Sequence, residues 1–247
     1  MKKLSRPALA IFLLLFSGFA FGQQANLPGV AVNFGQGTNL VDTLEVLLLF
    51  TILTLAPAIV ILCTSFTRIV VVLSFMRQAL GTQNMPPNQL LIGFALFLSI
   101  FVMMPTGKSI YENTIKPYQA KQINGTEALS GLERDLRGFM EKHVRKADIG
   151  LFYDVTNTVA PQDIKGVPTH FLIPAFIISE LKTAFQIGFL LYIPFIVLDM
   201  VVASVLMAMG MMMLPPMLVS MPFKLLLFVL VDGWQLVTGA ILRSFNT

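Results

Sequence analysis

Two stretches of this chain are almost bare of charge, and a charge-dense one separates them. Between Lys108 and Lys182 lie ten Lys/Arg and nine Asp/Glu residues, whereas the flanks from Asp42 onward carry only Asp42, Glu45, Arg68, Arg77, Asp199, Lys224, Asp232 and Arg243. The first apolar block holds Val46 to Thr67, a short apolar run between Arg68 and Arg77, and Asn88 to Pro105. The second holds Thr183 to Leu198, Met200 to Phe223 and Leu225 to Val231. By length these predict four hydrophobic helices, two on each side of a soluble insert. Within the insert, Ser130 to Glu133 fits a capping box. Leu132, Leu136, Phe139, Met140, His143 and Val144 then recur on one face, while Glu133, Arg134, Arg137, Glu141 and Arg145 face away. Asp148 is placed to cap a second short helix through Val155, and Pro161, Gly166 and Pro168 mark the loop back to the second block.

The start of the chain reads differently. Lys2, Lys3 and Arg6 precede an apolar stretch from Ala8 to Phe16, extending to Phe21, and small residues follow at Ala20 and Gly22. That is the three-part form of a secretory signal cleaved after Gly22. The alternative is an uncleaved first membrane helix, for which the apolar core is short against the ~20 residues a span needs. The expected layout is a signal peptide at 1–22, a periplasmic leader at 23–43, a first hydrophobic block at 44–107, the helical insert at 108–182 and a second hydrophobic hairpin at 183–247.

Composition agrees with a membrane-class chain: of 247 residues, 55% are hydrophobic and only 12% charged, against roughly a quarter charged in soluble domains. Three charges of the net +4 sit in the signal segment, so no basic stripe remains for nucleic acid. One cysteine, Cys63, excludes an internal disulfide framework and reads as a small core residue. Topology holds a conflict. With the N-terminus outside and four spans, the inside loops are the one bearing Arg68 and Arg77 and the one near Met209 to Pro216, and the second has no basic residue. Prolines at 57, 105, 174, 194, 215, 216 and 222 interrupt or bound the apolar segments, which suits helices packed on other protein helices.

No catalytic constellation is legible. Gly107, Lys108 and Ser109 match the end of a phosphate-binding loop, but Val102 stands where its first glycine belongs. His143 and His170 stand alone, and the sequon at Asn124 is given no role. Eight of the fourteen methionines fall between Met200 and Met221. Three readings of them stay open: loose apolar filler, thioether ligands for Cu(I) without the Cys or His such sites usually recruit, or a deformable apolar seal. Asp199 and Lys224 have their midpoint at 211.5, inside the methionine cluster. In a hairpin with its apex there, both lie roughly 19 Å from the tip, which predicts an intramembrane charge pair. The alternative has each ending a span at the headgroups. Ser204 and Ala208 would let a neighbouring helix approach closely.

The stretch SELKTAFQIGFLLYIPFIVLDMVVASVLMAMGMMMLPP, followed by PFKLLLFVLVDGWQL, resembles the FliP family of flagellar type III export-gate proteins and its virulence-secretion relatives. LAPAIVILCTSFTRIVVVLSFMRQALGT and PPNQLLIGFALFLSIFVMMP resemble the same family's first block, so the likeness covers about Leu55 to Pro105 and Ser179 to Phe245. The insert carries little of the family motif, and PTGKSIY departs from an acidic residue before the lysine. The resemblance implies an all-α chain of membrane-class hairpins with a small helical periplasmic insert. It further implies a ring of about five copies joining FliQ, FliR and FlhB, and passage of unfolded flagellar substrates across the inner membrane at the flagellar basal body. It implies a channel gasket at Met211, Met212 and Met213, with Met209 beside them, and a family charge pair at Asp199 and Lys224. No enzyme activity, cofactor, metal or nucleic acid is expected. The rival readings are a small-solute transporter, disfavoured by the lack of inverted repeats, and a copper-handling membrane protein.

Overall fold

A computed structural model describes residues 40–82, 85–161, 163–211 and 213–245. The signal segment, nearly all of the leader and Met212 lie outside the described residues. All described regular structure is helical: α1 Leu40–Leu62, α2 Phe66–Ala79, α3 Asn88–Ile110 running through a π-helical turn at Tyr111–Ile115 into α4 Lys116–Gln119, α5 Gly125–His143, α6 Lys146–Thr156, a 3₁₀ turn at Ile164–Gly166, α7 Thr169–Ala208, α8 Pro216–Leu230 and α9 Gly233–Arg243. The chain divides into two units, Met1–Leu53 and Thr54–Thr247. The described part of the first is the opening of α1, and both hydrophobic cores lie in the second.

Among the described residues, two helices are long and apolar enough to cross a membrane, Asn88–Gln119 and Thr169–Ala208. The count rises to four if α1 with α2, and α8 with α9, each form one broken span, the latter bent by 66°. The predicted layout of four comparable helices around a separate insert is corrected in one respect. α7 is a single 40-residue helix that begins inside the charged stretch and is about 60 Å long, twice the ~30 Å of a hydrocarbon core. Charge density marks where a helix meets water, and nothing in it marks where the helix starts. The first part of α7 packs against the insert, and the rest is long and apolar enough for a span.

Two cores form along this helix. In the first, α2 lies at the centre: Ile69, Val72, Leu73, Met76 and Ala79 make one buried stripe at helical spacing, met by Leu91 and Ala95 of α3, Ala184 and Phe195 of α7, Phe228 of α8, and Val237 and Ile241 of α9. In the second, Phe139, Met140 and Val144 of the insert, with Ile149 and Tyr153 of α6, pack on Leu172, Ala175 and Phe176 of α7 and on Cys63. The amphipathic reading of α5 thus matches its buried face, and Cys63 is buried as expected.

The insert's cap is not where the sequence reading puts it. α5 starts one and a half turns earlier: the Asn124 side chain accepts from the Glu127 N–H at 2.8 Å, and the Glu127 carboxylate accepts from the Asn124 N–H at 2.9 Å. Two capping-box patterns follow one another in this stretch, Asn124 to Glu127 and Ser130 to Glu133. The earlier one is the one formed, shortly after Lys121, whose φ of 56° breaks the preceding helix. Ser130 lies inside the helix and donates to the Glu127 carbonyl. Asp148 does not cap α6, which begins at Lys146. Its carboxylate instead accepts from Ser179 Oγ of α7 at 2.6 Å, and the same Oγ accepts from the Arg145 N–H at 3.0 Å. Nor do Arg137 and Arg145 face away. Arg137 donates to the carbonyls of Lys165 and Val167 and to Thr169 Oγ1, and Arg145 reaches Thr183 and Gln186.

Where α2 crosses α7, Gly188 admits Phe75. A Cβ at 188 would lie 2.8 Å from Phe75 Cγ and 2.9 Å from its Cβ, atoms too near the backbone to swing aside. Gly188→Ala should therefore lower stability by about 1–3 kcal/mol through overpacking. Gly93→Ala, where a Cβ meets nothing within 4 Å, should be neutral or stabilising. Thermal melting of the purified variants in detergent checks the contrast, and equal melting points would refute it.

Candidate functional site

The α7–α8 hairpin is built around a tight reversal. α7 ends at Ala208, and Gly210 takes φ +74°, a left-handed conformation that a side chain disfavours. The Met211 N–H donates to the Leu206 carbonyl at 3.0 Å and the Gly210 N–H to the Met207 carbonyl at 3.0 Å, the paired bonds of a Schellman motif. Pro215 then fixes the entry to α8, and Pro216 occupies its first turn, where the missing N–H costs nothing. At the tip, Met213 is 99% exposed and Met209 65%, while Met211 is half-buried. Met212 is outside the described residues. The exposed thioethers of Met209 and Met213 therefore do not fill this protomer's core.

Below the tip, Asp199 of α7 and Lys224 of α8 come together, with Lys224 Nζ donating to Asp199 Oδ2 at 2.6 Å. The pair is unequal, Lys224 being 2% exposed and Asp199 26%. A residue missed in the sequence completes it: Ser220, fully buried one turn before Lys224, donates its hydroxyl to Asp199 Oδ1. The signal was the i, i+4 spacing of Ser220 and Lys224, which puts both on one face of α8. The ammonium also lies over the turn after α2, since a Cβ at Gly81 would be 3.9 Å from Nζ.

A second ion pair was not foreseen at all. Arg68 of α2 and Glu180 of α7 are 3% and 0% exposed and pair through two hydrogen bonds, Nε to Oε2 at 2.8 Å and Nη2 to Oε1. The remaining guanidinium nitrogen, Nη1, donates to the Ser244 carbonyl at 2.7 Å and to its hydroxyl at 3.0 Å. The Phe245 ring stacks on the guanidinium, 3.8 Å from Cζ to centroid. Arg68 therefore does not lie in an inside loop as the topology reading supposes. A guanidinium can be buried when its charge is paired and each of its three nitrogens finds an acceptor, and a stretch-by-stretch charge count does not see partners 112 residues apart. His143, on the apolar face of α5, lies beside this cluster, with Nε2 3.4 Å from the Phe245 carbonyl.

These sites hold helices to one another and present an apolar tip. Among the described residues no three His, Cys, Asp or Glu side chains converge on a metal position. The class so defined is an all-helical membrane protein whose buried polar groups serve helix docking. The FliP family matches residues 49–241. The chain is 53% identical over 207 residues to the flagellar biosynthetic protein FliP of Bacillus subtilis, covering 84% of this chain and 94% of that protein. It is 46% identical over 244 residues to that of Aquifex aeolicus, covering 98% and 100%. Against that of Borreliella burgdorferi it is 49% identical over 223 residues, covering 89% and 88%. The chain belongs to the FliP family, non-enzymatic membrane components of the flagellar export apparatus. That membership decides against the small-solute transporter and the copper-handling protein.

The Arg68–Glu180 cluster makes a measurable claim. Glu180→Ala strands a guanidinium in the core and should cost about 3–5 kcal/mol, whereas Arg68→Met with Glu180→Leu strands no charge and should cost less than Glu180→Ala alone. Cys63, the one cysteine and buried, reports the opening. Its maleimide labelling in native membranes should rise in the single variant and stay low in the double. Equal labelling of both would remove the special status of the charge.

Proposed function

We propose that this chain is the channel-forming subunit of the flagellar export gate. In this reading about five copies form a ring that joins FliQ, FliR and FlhB and passes unfolded flagellar proteins across the inner membrane, with the mature N-terminus and the insert on the periplasmic side. The observation that carries it is the hairpin tip. Met209 and Met213, exposed and outside the protomer's core, are displayed on a backbone fixed by Gly210 and the two prolines, over a base tied by Asp199 and Lys224. Copies of such a tip brought together around an axis make a ring of unbranched, polarizable side chains. That ring closes against ions and yields to cargo of varied shape. Met209, Met211, Met212 and Met213 are assigned to this gasket, and Asp199 with Lys224 to holding its stalk.

Two sets of variants test the seal and the stalk separately. Replacing Met211, Met212 and Met213 together with Ala removes bulk without adding charge, so ion leakage through the membrane should rise while assembly persists. Unchanged conductance in a correctly assembled variant would return the methionines to apolar filler. For the stalk, burial sets an asymmetry. Asp199→Ala leaves the buried ammonium of Lys224 without its carboxylate and should cost about 3–5 kcal/mol. Lys224→Ala leaves a carboxylate that reaches solvent and keeps Ser220, so it should cost less. The double Ala variant should be milder than the sum of the two, read as yield of assembled complex. Simple additivity would show that the two residues act separately.

A further inference from the structure

We infer that His143 is a proton-operated latch, which in its cationic form fastens the end of the chain to the insert and so holds the cover over the buried Arg68–Glu180 pair. His143 lies in the last turn of α5, half-buried, and both of its ring nitrogens face backbone carbonyls. Nδ1 is 2.8 Å from the Phe139 carbonyl oxygen, one turn back, and Nε2 is 3.4 Å from that of Phe245. The imidazole also sits beside both of those aromatic rings, its centroid 4.5 Å from that of Phe139 and 5.5 Å from that of Phe245. A carbonyl oxygen only accepts, and a neutral imidazole carries one N–H. The neutral ring therefore bonds one of the two carbonyls, the nearer one, and turns a lone pair to the other. The imidazolium donates to both and draws in the longer contact.

What the latch holds gives it consequence. Phe245 turns its carbonyl to His143 and its ring to Arg68, 3.8 Å from Cζ. Ser244, the residue before it, supplies both acceptors for Arg68 Nη1. Fixing the Phe245 carbonyl therefore fixes both pieces with which the end of the chain completes the ion pair. The charges around the ring leave this logic standing. Glu180 of α7, within electrostatic reach of His143, favours a cation there and Arg68 of α2 opposes it, and since the two are bonded to each other their effects offset. Lys108 of α3 and Lys142 of α5 share a groove with His143, but both are exposed, as is Arg243 of α9, so solvent and salt screen them. Arg145, just ahead of α6, is turned to Thr183 and Gln186. Histidine is the side chain whose charge ordinarily changes between about pH 5 and 8. Because only the cation makes both bonds, the latch strengthens as pH falls and loosens as pH rises. It rests on the packing of this chain alone and does not depend on the channel reading.

The test is hydrogen exchange of the full-length protein purified in detergent, read by mass spectrometry on the peptide that carries Ser244 and Phe245. Their amides donate to the carbonyls of Ala240, Ile241 and Leu242, so they are protected while the end of the chain stays docked. After correction for the intrinsic effect of pH on exchange, protection should be about tenfold greater at about pH 5.5 than at about pH 8, the worth of one hydrogen bond from a charged donor. His143→Phe keeps an aromatic ring without a titrating proton, and His143→Gln keeps a polar group without one. Both should remove the pH dependence, whereas His170→Gln, at the exposed second histidine, should retain it. Thermal melting at about pH 8 verifies that each variant folds. Equal protection at the two pH values, greater protection at the higher one, or a dependence that survives in the His143 variants would each overturn the latch.

Discussion

A guanidinium and a carboxylate sealed from water between α2 and α7 constrain most of what surrounds them. Burying either ion alone costs several kcal/mol, and their mutual attraction offsets this only when geometry is good and the leftover donors are met. Here Nη1 of Arg68 is met by Ser244, and the guanidinium face by Phe245. The cluster is therefore complete only when residues near 68, 180 and 244 have all arrived. Phe245 packs against both cores, so the end of the chain joins the apolar block to the insert platform. Such an arrangement contributes little net stability over an apolar substitute, and its value lies in penalising every packing that leaves one partner out.

α7 repeats the device nearer its other end. Glu180 and Asp199 are 19 residues apart, about 28 Å along the helix, and both receive a base from another helix, Arg68 of α2 and Lys224 of α8. Between them, Thr183 to Leu198 carries no charge. The long helix is thus held by directional contacts at two levels and by non-directional packing between. Its register against α2 is further set by the close approach at Gly188. Sliding α7 by one turn would break two ion pairs and drive Phe75 into a side chain.

How much of this the sequence disclosed depends on the range of each interaction. The helical class, the hairpin apex and the matched depth of Asp199 and Lys224 follow from local runs and from a reflection about 211.5, and the structure has its reversal at Gly210 and those two side chains in contact. The amphipathic face of α5 was equally legible, because a helix repeats its environment every turn. Arg68–Glu180 was not, since each residue had a sufficient local explanation, one as a loop charge and the other as part of a polar insert. Charges read by neighbourhood are assigned to water by default. The Asn124 cap is hidden for a similar reason, because Ser130 offers the same pattern closer to the hydrophobic run.

The hairpin combines a stiff frame with soft contact atoms, and the two requirements come from different residues. Gly210, Pro215 and Pro216 restrict the backbone at both ends of the turn, and the Asp199–Lys224–Ser220 cluster prevents the two helices from sliding or splaying. Methionine adds three rotatable bonds beyond that frame. A seal made of branched or aromatic residues would have one good packing and would fail when displaced. A seal on a loose backbone would lose its position each time it opened. Fixing the main chain while leaving side-chain torsions free lets the same contact re-form after an irregular object has passed. In the channel reading proposed above, the charge pair is accordingly part of the gate, although it lies about 14 Å along α7 from that helix's end at Ala208, because it fixes the position from which the methionines reach.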